Sequence, residues 1–254
     1  MKEKLCIRSQ LEESLKELHL STIKDSFEKT AKLAIEESFS YEEYLLELLD
    51  QEKQARSQRR IERLLKESKL PLEKSLSCFD KSRLPQKIKY QLNQLLQGDF
   101  INQKENVLAF GNPGTGKTHL LCGIGQELIF NGYKVYFAKC SLLVQDLLIA
   151  KKNLELAKII KKLSKYEVII IDDIGYVQQT RDEMEVLFTL LAERYEKGSV
   201  MITSNIAFSK WENIFKDPML AAAAIDRLIH HCTVIELNIP SYRIEQARKR
   251  KEAK

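Results

Sequence analysis

A chain of 254 residues that is 44% hydrophobic and 30% charged, with only 9 Gly and 5 Pro, has the material for a helix-rich globular protein and excludes the disordered and fibrous classes. Its formal net charge of +5 is modest for this length, so the bulk value neither requires nor excludes a nucleic-acid partner. The five cysteines (Cys6, Cys78, Cys122, Cys140, Cys232) are scattered, odd in number and without a C-x-x-C pair, which points to a reducing compartment and packing roles. His230, His231 and Cys232 adjoin one another, yet neighbouring side chains diverge and no second ligand pair accompanies them, so no metal is assigned there. No apolar stretch approaches the roughly 20 residues of a membrane span. The charged start at 1–4 leads into no signal-like run, and the expected location is cytoplasmic.

Residues 1–70 contain neither glycine nor proline, and Leu11, Leu15, Leu18 and then Tyr44, Leu45, Leu48, Leu49 recur at helical intervals. A small all-helical N-terminal domain is predicted over 1–80, followed by a second domain over 81–254. Ser40 and Glu43 have the spacing of a capping box that opens the helix carrying Tyr44. From Lys53 to Lys69 seven basic residues face two acidic ones, and Arg56, Arg59, Arg60 and Arg63 share one helical face suited to a phosphate backbone. A solvated helix face would show the same pattern. Pro71 and Pro85 bracket an irregular connector, and a helix over 87–97 ends at Gly98.

The apolar strand 107–110 then runs into Gly111-Asn112-Pro113-Gly114-Thr115-Gly116-Lys117-Thr118, a complete G-x-x-x-x-G-K-[ST] phosphate-binding loop, with the helix 118–130 behind it. Glycines let backbone N–H groups curl around phosphate oxygens, Lys117 supplies a cation and Thr118 a magnesium ligand. Strand, loop and helix in this order imply a nucleoside triphosphate. Further strands are expected at 134–138, 168–172, 199–204 and 232–237, alternating with helices, which predicts a five-stranded parallel sheet covered on both faces. The helical stretch 141–165 exceeds what a plain crossover needs and is expected to be an inserted element. Its lysines, Lys151 and Lys152 among them, form a second basic cluster, and Arg248 to Lys251 a third.

Val168 to Asp173 is an apolar strand ending in two carboxylates, the Walker B pattern. Asp172 is expected to hold Mg2+ with Thr118, and Asp173 to orient or deprotonate the attacking water. Asn205, after the fourth strand, is placed to position that water or sense the terminal phosphate, although an Asn there also serves as a turn residue. Arg227 and Arg243 are the two candidates for the positive charge that phosphoryl transfer needs, either of which a structural ion pair would also explain.

GNPGTGKTHL at 111–120, IIIDDIGYV at 169–177, ITSN at 202–205, AIDRLIHHC at 224–232 and SYR at 241–243 together resemble the AAA+ ATPases of the initiator and helicase-loader branch, and most closely the IstB-like ATP-binding proteins of insertion sequences, related to the DnaC loader. The resemblance covers nearly the whole chain. It implies a P-loop AAA+ core with ATP and Mg2+ as cofactors. His119 would join residues 111–118 at the nucleotide, with Asn205 at sensor 1, Arg227 as an arginine finger and Arg243 near sensor 2. It also implies that 141–165 faces nucleic acid, that the protein self-associates with ATP on duplex DNA, and that it serves a transposase, with ATP hydrolysis dissolving the assembly. The second Walker B acid is Asp where this class usually has Glu, so slow hydrolysis is expected; a short lid after the fifth strand fits the branch and bears on the Arg243 assignment alone. The rival expectations are a helicase loader acting on single strands, and a P-loop kinase of small molecules.

Overall fold

The computed structural model describes residues 2–175, 180–206, 211 and 226–252, and within these the side chains of 2–6, 249, 250 and 252 are outside the description. The chain divides into two compact units, 1–63 and 64–254.

The first unit is built from α1 (Lys2–Glu17), α2 (Ser21–Glu36) and the greater part of α3 (Tyr41–Ser68). Leu15, Ile23 and Leu48 form its buried centre, with Leu20, Phe27 and Tyr44 packed around them. The Ser40–Glu43 capping box is present in both directions, Glu43 N–H donating to Ser40 Oγ and Ser40 N–H to Glu43 Oε2. The N-terminus of α2 has no side-chain cap of its own. Glu52, a buried residue of α3, takes that role: its Oε2 accepts the N–H groups of Thr22 at 2.8 Å and Ile23 at 3.2 Å. Burial pushes the Glu52 carboxyl up, but Arg56 and those two N–H groups outweigh it and hold it below the usual carboxylate range.

The boundary lies between Arg63 and Leu64, earlier than the position near 80 expected from sequence. The reason is packing. Leu64, Leu70 and Leu76 are buried, and the connector between the two prolines lies along a helix of the second unit, where Gln126 Nε2 donates to Pro71 O at 3.2 Å and His119 Nε2 to Ser75 O at 2.8 Å.

In the second unit a 3-10 turn at Lys81–Arg83 leads into α4 (Gln86–Gln97) and α5 (Asp99–Asn102), and Gly98 ends α4 with φ of 83°. The five expected strands are all present: β1 (Asn106–Gly111), β2 (Val135–Lys139), β3 (Val168–Ile174), β4 (Ser199–Ser204) and β5 (Cys232–Leu237). They form one parallel sheet in the order β2-β3-β4-β1-β5. β1 and β3, the two strands that carry the expected phosphate chemistry, both flank β4, so their C-terminal ends converge around it. Residues 168–171 and 107–109 are essentially sealed from solvent, as parallel strands covered on both faces must be.

The helix α6 (Lys117–Phe130) packs so closely that a β-carbon on Gly125 would press on Ile170 and Leu70. On the other face α7 (Cys140–Lys152) and α9 (Arg181–Arg194) contribute Leu143, Leu147, Leu187 and Leu190 to the main core. The long helical stretch expected at 141–165 is two helices, α7 and α8 (Leu156–Leu163), divided at 153–155. Arg194, buried at the end of α9, donates to the carbonyls of Tyr166, Glu167 and Ser199 and so fixes the starts of β3 and β4; burial lowers its pKa to about 10. The chain closes with α10 (Tyr242–Glu252). No helix among the described residues is long and apolar enough to cross a membrane.

Candidate functional site

The loop between β1 and α6 takes its shape from glycine. Gly114 (φ 83°) and Gly116 (φ 96°) are left-handed, and a β-carbon would collide with Ser241 Oγ at the first and press on the Phe79 ring at the second. Gly116 is also the N-cap of α6 and supplies no side-chain cap, so the first-turn N–H groups face the loop with the positive end of the helix dipole behind them. This is a cradle for an anion.

Lys117, only 4% exposed, turns back over the loop and donates to Gly111 O at 2.8 Å, Asn112 O at 2.9 Å and Asn205 Oδ1 at 2.6 Å. Burial lowers its pKa, with Asp173 and Asp172 opposing that and Arg243 reinforcing it. Thr118 Oγ1 donates to Asp172 Oδ1 at 2.7 Å. Thr203 Oγ1, on β4, donates to the same Asp172 oxygen at 2.7 Å and accepts the Asp173 N–H at 2.8 Å. The strand register shifts between Ile171 and Ile174, and Asp173 has a φ of 60°. That bulge turns Asp173 out of the sheet while Asp172 stays buried beneath the loop. Asp173 Oδ1 lies 3.5 Å from Asn205 Nδ2. Its pKa is raised, first by burial and then by Asp172, against the pull of Lys117, Lys139 and Arg243.

These groups surround a cavity of about 570 Å³ lined by Pro113 to His119, Asp173, Asn205 and Arg243. Gly111 and Asn112 contribute through the carbonyls that hold Lys117. Sequence reasoning missed the rest of the wall, which is Lys74, Cys78, Phe79, Asp80 and Arg83 from the connector, with Ile239 and Tyr242. Its one signal was that Leu70, Leu76 and Phe79 keep a nominal linker apolar. Arg83 ties the connector to the last helix, donating to Pro240 O at 2.8 Å, pairing with Glu245 at 3.0 Å and lying 5.2 Å from the Tyr242 ring centre. Tyr242 N–H in turn donates to Gly114 O at 3.0 Å. His119 lies edge-on to Phe79, with ring centres 5.2 Å apart, and its Nε2–H is committed to Ser75.

Arg227 does not join this cavity. It is exposed on the helical turn at 226–229, beside a separate cavity of about 470 Å³ that Lys104, Glu185, Tyr195 and His231 also line. The expected nucleic-acid residues are partly engaged elsewhere. Arg56 pairs with Glu52 at 2.8 Å and donates to His19 O, and Arg59 donates to the hydroxyls of Ser21 and Thr22, so both brace the α1–α2 junction. Arg60 and Arg63 are exposed. Lys151 pairs with Glu185 of α9 at 2.8 Å, whereas Lys152 is exposed. The motif positions Tyr176, Val177, Ala224 and Ile225 lie outside the described residues.

A phosphate loop on β1, a pair of acids on β3, an amide at the end of β4 between them and a parallel sheet of this order define a P-loop protein of the AAA+ class. A family model described as IstB-like ATP binding protein matches residues 13–250, and the chain belongs to that family. It is 41% identical over 234 residues to an insertion sequence protein of Sinorhizobium fredii named for ATP binding, a match covering 92% of this chain and 78% of that one. It is 37% identical over 246 residues to the corresponding protein of insertion sequence IS5376 from Geobacillus stearothermophilus, covering 97% and 98%. Among solved structures, AMPPCP-bound DnaA from Aquifex aeolicus superposes with a TM-score of 0.58 at 16% identity over 72% of this chain and 55% of that one, a likeness of fold.

Proposed function

We propose that this chain hydrolyses ATP with magnesium, that ATP binding drives it to assemble with itself on duplex DNA, and that the assembly presents this DNA to a transposase. The observation that carries the reading is the joint engagement of Lys117 by the loop carbonyls and Asn205, with Asp173 and Arg243 in the same cavity wall. The α6 N-terminus, Lys117 and Arg243 would take the phosphates. Thr118 and Asp172 are hard oxygen donors already 2.7 Å apart, and are the pair that would hold the metal. Magnesium bound there supplies charge neutralisation on the phosphate oxygens. Asp173 would accept the proton of the attacking water through its carboxylate form, and Asn205 would orient that water from the same side.

Arg227 stands away from the phosphate-loop cavity of its own copy, so its role as an arginine finger is assigned across a contact between two copies. Nucleotide binding and self-association then become linked equilibria. The relatives' names, which tie ATP binding to insertion sequences, support the transposition reading.

The test is anisotropy of a labelled duplex and the matching single strand at fixed salt, titrated with protein under ATP, ADP or no nucleotide. Cooperative, ATP-dependent duplex binding that Lys117→Ala abolishes is the expected result. Preference for the single strand would replace the transposition reading with helicase loading.

A further inference from the structure

The α7–α8 junction contains a residue that neither burial nor backbone preference explains. Leu154 is 94% exposed, the highest value among the described large hydrophobic side chains, and its φ is 57°. It follows Asn153, the C-cap of α7, in a complete Schellman turn, with Leu154 N–H donating to Lys151 O at 3.2 Å and Glu155 N–H to Ala150 O at 2.7 Å. Glycine or asparagine suits that position, because a left-handed backbone strains a branched side chain. The other six described non-glycine residues with positive φ, His19, Ser38, Lys69, Lys104, Asp173 and Glu196, are all polar or charged. Leucine here costs stability twice, through backbone strain and through apolar surface left in water, which is the pattern of a residue retained for contact with something else.

The surroundings select the partner. Between 151 and 165 there are six lysines and a single acid, Glu155. Leu156, Ile159 and Leu163 turn inward onto the main core. Lys158, Lys161 and Lys162 are exposed on the outward face of α8, and Lys165 is exposed just beyond its end. Lys152 is exposed at the last position of α7, while Lys151 is paired with Glu185 and Lys158 with Glu155. A rigid apolar tip set in a cationic surface matches a polyanion that also offers an apolar slot, and a base step of duplex DNA is such a slot. An apolar protein groove would not select the lysines.

We propose that Leu154 is a wedge that enters a base step of the duplex from the minor groove, unstacking it and kinking the DNA while the surrounding lysines hold the phosphates. The proposal rests on the duplex-binding reading above and adds to it the residue and the mode of deformation. It also predicts weak sequence preference, favouring flexible pyrimidine–purine steps.

The test compares the full-length wild type with Leu154→Asn and Leu154→Met, using a duplex with a dye at each end and 2-aminopurine at a central TA step, with ATP present. Asparagine relieves the backbone strain, so misfolding does not confound the result. Thermal stability should hold or rise, and ATP-dependent self-assembly without DNA should be unchanged. Duplex affinity should fall on the order of tenfold. The end-to-end energy transfer and the 2-aminopurine brightening should be lost in Leu154→Asn and retained in Leu154→Met. If the asparagine variant binds and bends DNA as the wild type does, there is no wedge. If it fails to self-assemble without DNA, the leucine seats in protein and the proposal is wrong. If the wild type does not bind duplex at all, the function proposed above falls first and this inference with it.

Discussion

Lys117 Nζ lies 2.6 Å from Asn205 Oδ1, joining the phosphate loop to the end of β4 across 88 residues of sequence. The bond sets how far the ammonium extends over the loop and fixes which way the Asn205 amide faces. Its Nδ2 thereby points towards Asp173, at 3.5 Å. Asn205→Ala removes this link but leaves the two loop carbonyls on Lys117. The expected outcome is nucleotide affinity within about threefold of wild type and kcat lowered roughly 10- to 100-fold, the 1.5–3 kcal/mol of one charge-assisted hydrogen bond. Equilibrium titration with a fluorescent nucleotide, set beside steady-state turnover, separates the two. An equal loss in both would make Asn205 a binding residue.

Asp173 carries a cost in the folded protein. Because burial and Asp172 raise its pKa, the stabilising contribution belongs to the protonated form. It is complete below the ordinary value of 3.8 and is lost as pH rises through the raised folded value. Above that folded value the ionised carboxylate is therefore destabilising. Asp173→Asn should raise the melting temperature at pH 7.5, with the gain shrinking on acidification, while abolishing turnover and preserving ATP-dependent assembly. Scanning fluorimetry at the two pH values, with a phosphate-release assay, checks all three. Normal turnover in the variant would remove Asp173 from the water-activating role.

Glu52 has the opposite sign. Its pKa is held below 4.5, so its contribution is present above that value and lost as pH falls through the folded one. Glu52→Gln replaces a charged acceptor for two N–H groups and breaks the pair with Arg56, at a cost of about 1–3 kcal/mol to the helical unit. Chemical denaturation followed by circular dichroism should show this deficit at pH 7 and its shrinking as the pH falls through the folded value. A deficit independent of pH would mean that packing, not charge, holds the α1–α2 junction.

The domain boundary predicts the behaviour of fragments. A fragment over 64–254 keeps the buried Leu64 and keeps Leu70 and Leu76 against Gly125 and Gly123 of α6, and should unfold in one cooperative transition. A fragment over 81–254 exposes the surfaces these leucines cover and loses Phe79 from the nucleotide cavity. It should aggregate or melt lower and bind nucleotide more weakly, as light scattering and the same fluorescent titration would report.

The sheet and the phosphate loop were legible because their signals are local. Val168 to Ile171 is an unbroken β-branched run, and the glycines, Lys117 and Thr118 sit within eight consecutive positions. Thr203 was not legible. A threonine in a strand is ordinary, and its grip on both Walker B acids exists only because β3 bulges beside β4. The connector was hidden for a related reason, since two prolines and scattered polar residues read as a linker unless the partner surface on α6 is known. Arg56 and Arg59 show the limit of charge patterning. Their spacing is the same whether the face meets solvent, phosphate or, as here, the junction of two helices of the same unit.

The start of α10 rests on the phosphate loop itself, through Tyr242 N–H on Gly114 O and the Arg83 contacts with Pro240 and Glu245. The last helix is thus geared to the loop, and any change of loop shape on taking up phosphate is transmitted along it. An environment-sensitive dye near Arg248 would act as a built-in gauge of nucleotide state, and a bulky fusion at the C-terminus would act as a brake on it.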